Sequence, residues 1–192
     1  MVMDNKDGGI LAMVGGRDFT DSQFNRATLS VRPLGTAFLP FVYGAAFSKP
    51  EFFPGSQTED APIDNKRVMI GGFTGILGEW GTESEASTWP MTNISAREAL
   101  VNSRNAATVR LGEKVGLPAI KEFATKAGIQ SPLKDYPSSY LGASEAKLNE
   151  MCLAYSVFPN GGQRPKEMFM IRRITDIDDK IVFQSSEDDG WV

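Results

Sequence analysis

Thr36 follows Gly35 at the mouth of an apolar stretch, RPLGTAFLPFVYGAAF, residues 32–47. A hydroxyl so placed is where an acyl-transfer enzyme can keep a nucleophile, provided a neighbouring group takes its proton. The 192 residues contain no His, which excludes Ser-His-Asp catalysis and His-ligated zinc. A base would have to be a Lys or a carboxylate. One turn beyond Thr36 stands Leu39, which offers neither a lone pair nor a charge. Two literal S-x-x-K strings occur elsewhere, Ser131–Lys134 in a Pro-containing loop and Ser144–Lys147 at the expected start of a helix. Ser144 there reads as an ordinary N-cap, and neither string is assigned to catalysis. Cys152 is the lone cysteine, so no internal disulfide can form, and within EMCLAYSVF it reads as a buried thiol. The Gly pairs at 15–16, 71–72 and 161–162 read as turns, because none joins a strand to a helix at the spacing of a phosphate cradle.

The elements that must position Thr36 follow from pattern. VMDNKDGGILAMVGG predicts a hairpin around Asp4–Gly8 with a strand from Gly9 to Val14, and MFMIRRITDIDDKIVFQ predicts another with its turn at Thr175–Asp179. After Thr36, the residues Phe38, Phe41, Val42, Ala45 and Ala46 share one helix face, and Pro40 falls in the first turn, where its missing N–H matters little. This helix is expected to be deeply buried. Residues 50–92, with MIGGFTGILGEWG, show no sustained period and predict an irregular surface region. Trp80 and Trp89 lie within it, as loop anchors or as part of a partner surface. Ser95 and Glu98 form a capping box before an apolar run. Further helices are predicted over Ala106–Val115, over Pro118–Ala127 ending at Gly128, and over Glu145–Phe158. Strands at both ends with helices between them predict an α+β fold, helices on one side of an antiparallel sheet.

Apolar residues at 41% and charged residues at 23% are those of a globular chain. The length suits one sizeable core. A net charge of −4 with interspersed signs gives no footprint for nucleic acid. The apolar run 34–47 is too short to span a bilayer, and any export signal or anchor is expected outside the chain.

GGILAMVGGRDFTDSQFNRAT, RPLGTAFLPFVYGAAF, SAREALVNSRNAATVRLGEKVG and YLGASEAKLNEMCLAYSVFPNGG resemble, in order and spacing, the transpeptidase domain of penicillin-binding proteins, most of all the bifunctional class A peptidoglycan synthases. The resemblance runs from about Gly9 to Thr175. It implies the α+β penicillin-binding-protein/β-lactamase-like fold and an ancestry in D,D-transpeptidation, in which a serine is acylated by a D-Ala-D-Ala stem peptide or by a β-lactam. It also implies three motifs: S-x-x-K opening a buried helix, S-x-N between helices, and K-T-G on a strand. Thr36-Ala37-Phe38-Leu39 occupies the first, with Thr36 at the nucleophile position and Leu39 at the base position. Ser103-Arg104-Asn105 matches the second, whose Ser and Asn pass protons and hold the substrate amide. The third is expected beyond residue 192. Lys114-Val115-Gly116 and Lys126-Ala127-Gly128 show only its outer letters, at helix C-termini.

The β-methyl of Thr36 restricts its side-chain rotation and crowds an attack path. Loss of a general base lowers rates by ~10²–10⁴, and loss of a member of a nucleophile–base unit by up to about 10⁶. Thr36 is therefore read first as a helix N-cap and Leu39 as core. Ser103 and Asn105 are read either as a turn between helices or as a surviving groove contact. The expectation is a single partial transpeptidase-like domain over 1–192, inactive in crosslinking, serving as a scaffold or binding module of cell-wall assembly. The rival is an active D,D-transpeptidase that uses Thr36. No cofactor or metal is implied. By family, the partners are a stem peptide or cell-wall synthesis proteins, a glycosyltransferase domain is expected on the parent chain, and the location is extracytoplasmic.

Overall fold

The computed structural model describes residues 1–61 and 92–185. Trp80, Trp89, Gly71–Gly72 and MIGGFTGILGEWG lie outside the described residues. The elements are β1 (Val2–Met3), β2 (Ile10–Ala12), β3 (Val31–Pro33), a 3-10 turn (Gly35–Phe38), α1 (Leu39–Phe47), β4 (Gln57–Asp60), β5 (Thr92–Ser95), α2 (Ala96–Val101), α3 (Asn105–Val115), α4 (Leu117–Ala127), a second 3-10 turn (Pro137–Leu141), β6 (Glu145–Lys147), α5 (Leu148–Tyr155), β7 (Arg173–Thr175) and β8 (Ile181–Gln184). Strands pair in twos, as β1–β2, β3–β6, β4–β5 and β7–β8. The α+β composition is the predicted one, with the terminal strands forming separate antiparallel hairpins.

The chain divides into two compact units. The helical unit holds Pro33–Ala124 and Pro132–Glu145. Its axis is α1, whose Leu39, Phe41, Val42, Tyr43, Ala45 and Ala46 are all buried. A helix apolar on every side must be surrounded, and α1 packs against both α2 and α3. Gly44 matters here, because a Cβ at that position would come within 2.5 Å of the Phe123 ring. The ring instead seats on the α1 backbone. β4 pairs with β5 from Gln57↔Ser95 to Asp60↔Thr92, so Gln57–Asp60, inside the stretch 50–92 predicted as irregular, is strand, and Thr92 at its end opens another. In β4 the alternation turns Thr58 and Asp60 inward.

The hairpin unit holds Met1–Arg32, Thr125–Ser131 and Ala146–Val192. β1 and β2 flank a turn in which Gly8 N–H donates to Asp4 O at 3.0 Å and Gly9 N–H to the Asp7 carboxylate at 2.7 Å. Asp7 also pairs with Arg172. The buried Arg164 guanidinium donates to Lys126 O, Pro165 O and Lys166 O, so it caps the C-terminus of α4. The strand predicted over Gly9–Val14 contracts to Ile10–Ala12, and the predicted turn at Thr175–Asp179 separates β7 from β8.

Three expectations need correction. The last helix begins at Leu148, because Glu145–Lys147 is drawn into pairing with β3. Ser144 is accordingly not an N-cap. Its buried hydroxyl accepts Lys134 N–H at 3.0 Å and lies 3.1 Å from Ser139 Oγ, pinning the loop between them. Cys152 is half-buried, since in α5 only Ala154 is buried completely; burial still pushes its thiol up from the ordinary range.

Candidate functional site: two turns joined by a polar relay

A backbone crossing builds the first site. Leu34 N–H donates to Ser144 O at 3.0 Å, and Gly35 N–H to Gly142 O at 2.9 Å. A Cβ on Gly142 would stand 2.1 Å from Gly35 O, an approach that only glycine permits. This crossing fixes the 3-10 turn that presents Thr36 to solvent. Thr36 is not an N-cap. The residues preceding the turn and α1, Leu34 and Phe38, already have helical dihedrals, and neither boundary has a side-chain cap. The chain therefore lacks the extended residue from which a hydroxyl could reach back to the helix. Leu39 is 1% exposed, buried alongside Phe38 and Phe41, whose rings stack with centroids 5.8 Å apart. It is core, as predicted.

The second site is the corner between α2 and α3. Ser95 and Glu98 form the predicted capping box, with Glu98 N–H to Ser95 Oγ at 3.2 Å and Ser95 N–H to the Glu98 carboxylate at 2.9 Å. The Ser95 backbone bond holds the Glu98 carboxyl below its ordinary value. At the other end, Ser103 N–H donates to Leu100 O at 3.1 Å and Arg104 N–H to Ala99 O at 2.8 Å. These two bonds are a Schellman closure, which places a left-handed residue, usually Gly, at the first position past the helix. Here that residue is Ser103, at φ 51° and exposed. A non-Gly residue held there stores on the order of 1 kcal/mol of strain. Asn105, two residues on, begins α3.

A buried relay connects the α2–α3 corner to α1. Thr108 Oγ1 donates to Arg104 O at 2.9 Å and lies 2.9 Å from Tyr43 OH. The single Thr108 proton is committed to the carbonyl, so the Tyr43 hydroxyl is the donor to Thr108. Burial pushes the Tyr43 hydroxyl up to about 12, against the opposing effect of the Thr108 bond, and the Asp60 charge adds to the rise. Arg104 Nε also pairs with Asp60 at 2.5 Å, which ties the corner to β4. Arg110 reinforces the tie by donating to Ala61 O at 2.6 Å and pairing with Glu59 at 3.2 Å. α1, which follows Thr36, and the Ser103-Arg104-Asn105 corner are thus parts of one packed unit. Among the described residues, no hydrogen bond joins the Thr36 and Ser103 side chains.

Sequence reading missed Tyr43, Thr108 and Asp60. The Arg104–Asp60 pair spans 44 residues and leaves no local period. The decoys behave as ordinary structure: Lys114 and Lys126 close α3 and α4 before the positive-φ Gly116 and Gly128. Ser131 merely donates its N–H to the Glu150 carboxylate, at 3.0 Å.

The model of the penicillin binding protein transpeptidase domain matches residues 1–180. The chain belongs to this family. It is 32% identical to Penicillin-binding protein 1A of Pseudomonas aeruginosa over 96% of this chain and 21% of that protein. It is 33% identical to the Rickettsia conorii Penicillin-binding protein 1A over 97% of this chain and 22% of that one. The chain therefore spans about a fifth of the length of these relatives. Among solved structures, Penicillin-Binding Protein 1A from Haemophilus influenzae superposes with a TM-score of 0.75 at 29% identity, over 94% of this chain and 26% of that one. PonA1 from Mycobacterium tuberculosis shares the fold, with a TM-score of 0.76 at 21% identity over 97% of this chain and 48% of that one. The penicillin-binding-protein fold inferred from the four sequence blocks is the fold of this chain.

Proposed function

We propose that this chain is a non-acylating transpeptidase domain of cell-wall assembly, a binding module or scaffold rather than a crosslinking enzyme. One observation carries the reading. Leu39, at the position where the family keeps its lysine, is sealed in the apolar core, so no group one turn from Thr36 can take a proton from its hydroxyl. Ser103 and Asn105 serve in this reading as a retained groove for the stem peptide, with Ser103 held in its strained turn by the Arg104–Asp60 tie and the Tyr43–Thr108 relay. The family match across both compact units supports treating residues 1–192 as a single partial domain. By analogy with the Penicillin-binding protein 1A relatives, the parent chain carries a glycosyltransferase domain and works outside the cytoplasmic membrane.

The test is the intact mass of the folded protein after prolonged incubation with excess penicillin. An unchanged mass is expected, with circular dichroism recording the fold. One added ligand mass, mapped to Thr36 by digestion, would overturn the reading. Such an adduct would favour a D,D-transpeptidase in which Thr36 attacks with help from Ser103, an alternative that draws support from the exposure of both residues. In that case Thr36→Ala abolishes turnover of a stem peptide. Calorimetry with a D-Ala-D-Ala peptide separates a receptor, which releases or takes up heat, from a scaffold, which does not.

A further inference from the structure

The hairpin unit contains a pocket of about 290 Å³ between residues 13–16, which follow β2, and the loop Asp18–Asn25. It is built entirely from one contiguous stretch. Arg26 N–H donates to Gly15 O at 3.0 Å, and a Cβ on Gly15 would fall 2.3 Å from Asn25 Oδ1, so the two sides touch directly. Asn25 is a structural pin: its Oδ1 accepts Ala27 N–H at 3.0 Å, and its amide lies 3.8 Å from Met13 Sδ. Ser22 N–H closes onto Asp18 O at 3.2 Å. The walls are thus set before any ligand arrives.

Two phenyl rings border this pocket, Phe19 at 73% exposure and Phe24 at 47%; the Arg26 guanidinium covers one face of Phe24, its Cζ 5.9 Å from the centroid, so Phe24 has its other face to offer. Between them stand polar groups with capacity left over. Asp18 takes both Thr20 bonds at Oδ1, at 2.8 Å and 2.6 Å, and its carboxylate also draws on the Asp21 backbone N–H, which leaves about one of a carboxylate's four acceptor sites. Those bonds hold its carboxyl below the ordinary value, the Thr20 hydroxyl most strongly, so it is ionised at neutral pH. Ser22 Oγ accepts only the long 3.4 Å contact from Phe24 N–H and keeps its own proton. The Gln23 amide, a lining group, makes no hydrogen bond among the described residues. A carboxylate, a hydroxyl and a primary amide beside two aromatic faces form a set that suits vicinal hydroxyls on one edge and C–H faces on the other.

We infer that this pocket is a subsite for a single pyranose ring of a glycan, with Phe19 and Phe24 against the ring faces and Asp18, Ser22 and Gln23 bonding its hydroxyls. The size is right for one ring. Ligand pockets run from ~300 to 1,000 Å³, and this one, at about 290 Å³, sits at their lower bound. Asp18 on the lining and the Arg26 guanidinium over Phe24 offset one another, so the pocket suits a neutral ligand. The inference deepens the binding-module reading, because a glycan strand would be held by a region separate in sequence from Ser103 and Asn105.

The experiment is an amide NMR titration of the whole chain with a soluble N-acetylglucosamine trimer. Dissociation constants on the order of 1 mM are expected for one shallow subsite. Shifts should cluster at Gly15, Gly16, Phe19 and Gln23. Phe19→Ala, on an exposed side chain, should weaken binding roughly five- to tenfold through the lost ring face. Gln23→Ala should weaken it through lost hydroxyl contacts without touching the fold. No shifts, shifts elsewhere, or binding unaltered by both variants would each overturn the sugar subsite. A parallel titration with a D-Ala-D-Ala peptide reports on the Ser103–Asn105 corner. The sugar can thus fail while the peptide binds, and the reverse, so failures of the two readings remain distinct.

Discussion

The turn at Thr36 and the turn at Ser103 belong to one packed unit, yet packing explains one of them and not the other. At the first, a glycine crossing presents an exposed hydroxyl, and the residue one turn on is buried hydrocarbon. Gly142 lies against Gly35 where a side chain would not fit, and Leu39 is packed into the core with α1. At the second, the residues persist together with an unfavourable backbone: Ser103 occupies a left-handed position where glycine would sit without strain. Packing alone accounts for Leu39, because an apolar side chain at that point gains burial. It does not account for Ser103, since the Schellman closure would be easier with glycine. A strained residue that the local fold does not require is one for which a contact outside the turn must be sought.

Four measurements would break or sharpen that contrast. The largest effect is expected for Leu39→Lys. A lysine at a site 1% exposed must be desolvated, and the loss should reach about 3–5 kcal/mol in urea unfolding. Its amine would titrate lower in the folded state than in the unfolded one, so the unfolded chain binds more protons and stability should recover as pH rises. If Leu39→Lys were as stable as the parent, the first turn would still be an open site and the contrast would collapse.

Next comes Asp60→Ala, which removes the carboxylate that pairs with Arg104 Nε. About 2 kcal/mol should be lost, less than for a fully buried pair because the Arg104 side chain is 31% exposed. Hydrogen exchange at the α2–α3 corner should rise more than in α1; equal acceleration in both would mean that the pair holds the whole unit rather than this corner.

Tyr43→Phe removes the donor to Thr108 at a cost of about 1 kcal/mol. Its pH signature is more telling. The Tyr43 hydroxyl is raised from 10.0 to about 12 in the fold, so between those values the folded chain holds more protons than the unfolded one. Stability is full below pH 10 and declines as pH climbs towards 12. Urea midpoints of the variant should fall less steeply across that window, and parallel profiles would show that the relay is not sealed from water.

The smallest effect should come from Ser103→Gly, a gain of about 0.5–1 kcal/mol as the left-handed strain is released. A loss instead would mean that the hydroxyl makes a stabilising contact and that the turn is not strained for function.

Much of this was legible from local pattern. The all-round apolar run after Thr36, the Ser95–Glu98 capping box, the Lys-then-Gly helix ends and the two terminal hairpins each depend on residues within a few positions of one another, and each appears in the fold. The order of four sequence blocks was enough for the family. The identity of Leu39 already excluded a base one turn from Thr36, because no conformation gives a hydrocarbon a lone pair.

Other features depended on partners distant in sequence. Ser144 read as a helix N-cap until strand pairing moved the helix start to Leu148 and buried its hydroxyl against Ser139. Thr36 read as an N-cap until the Gly35–Gly142 crossing, more than a hundred residues apart in sequence, set it on a 3-10 turn. Residue types and short-range spacing determined that the chain has no His and that a hydrocarbon stands one turn beyond Thr36. Only the tertiary structure decided what ties the Ser103 corner to β4 and α1, because hydrogen bonds and ion pairs between distant residues are chosen by packing and leave no period to read.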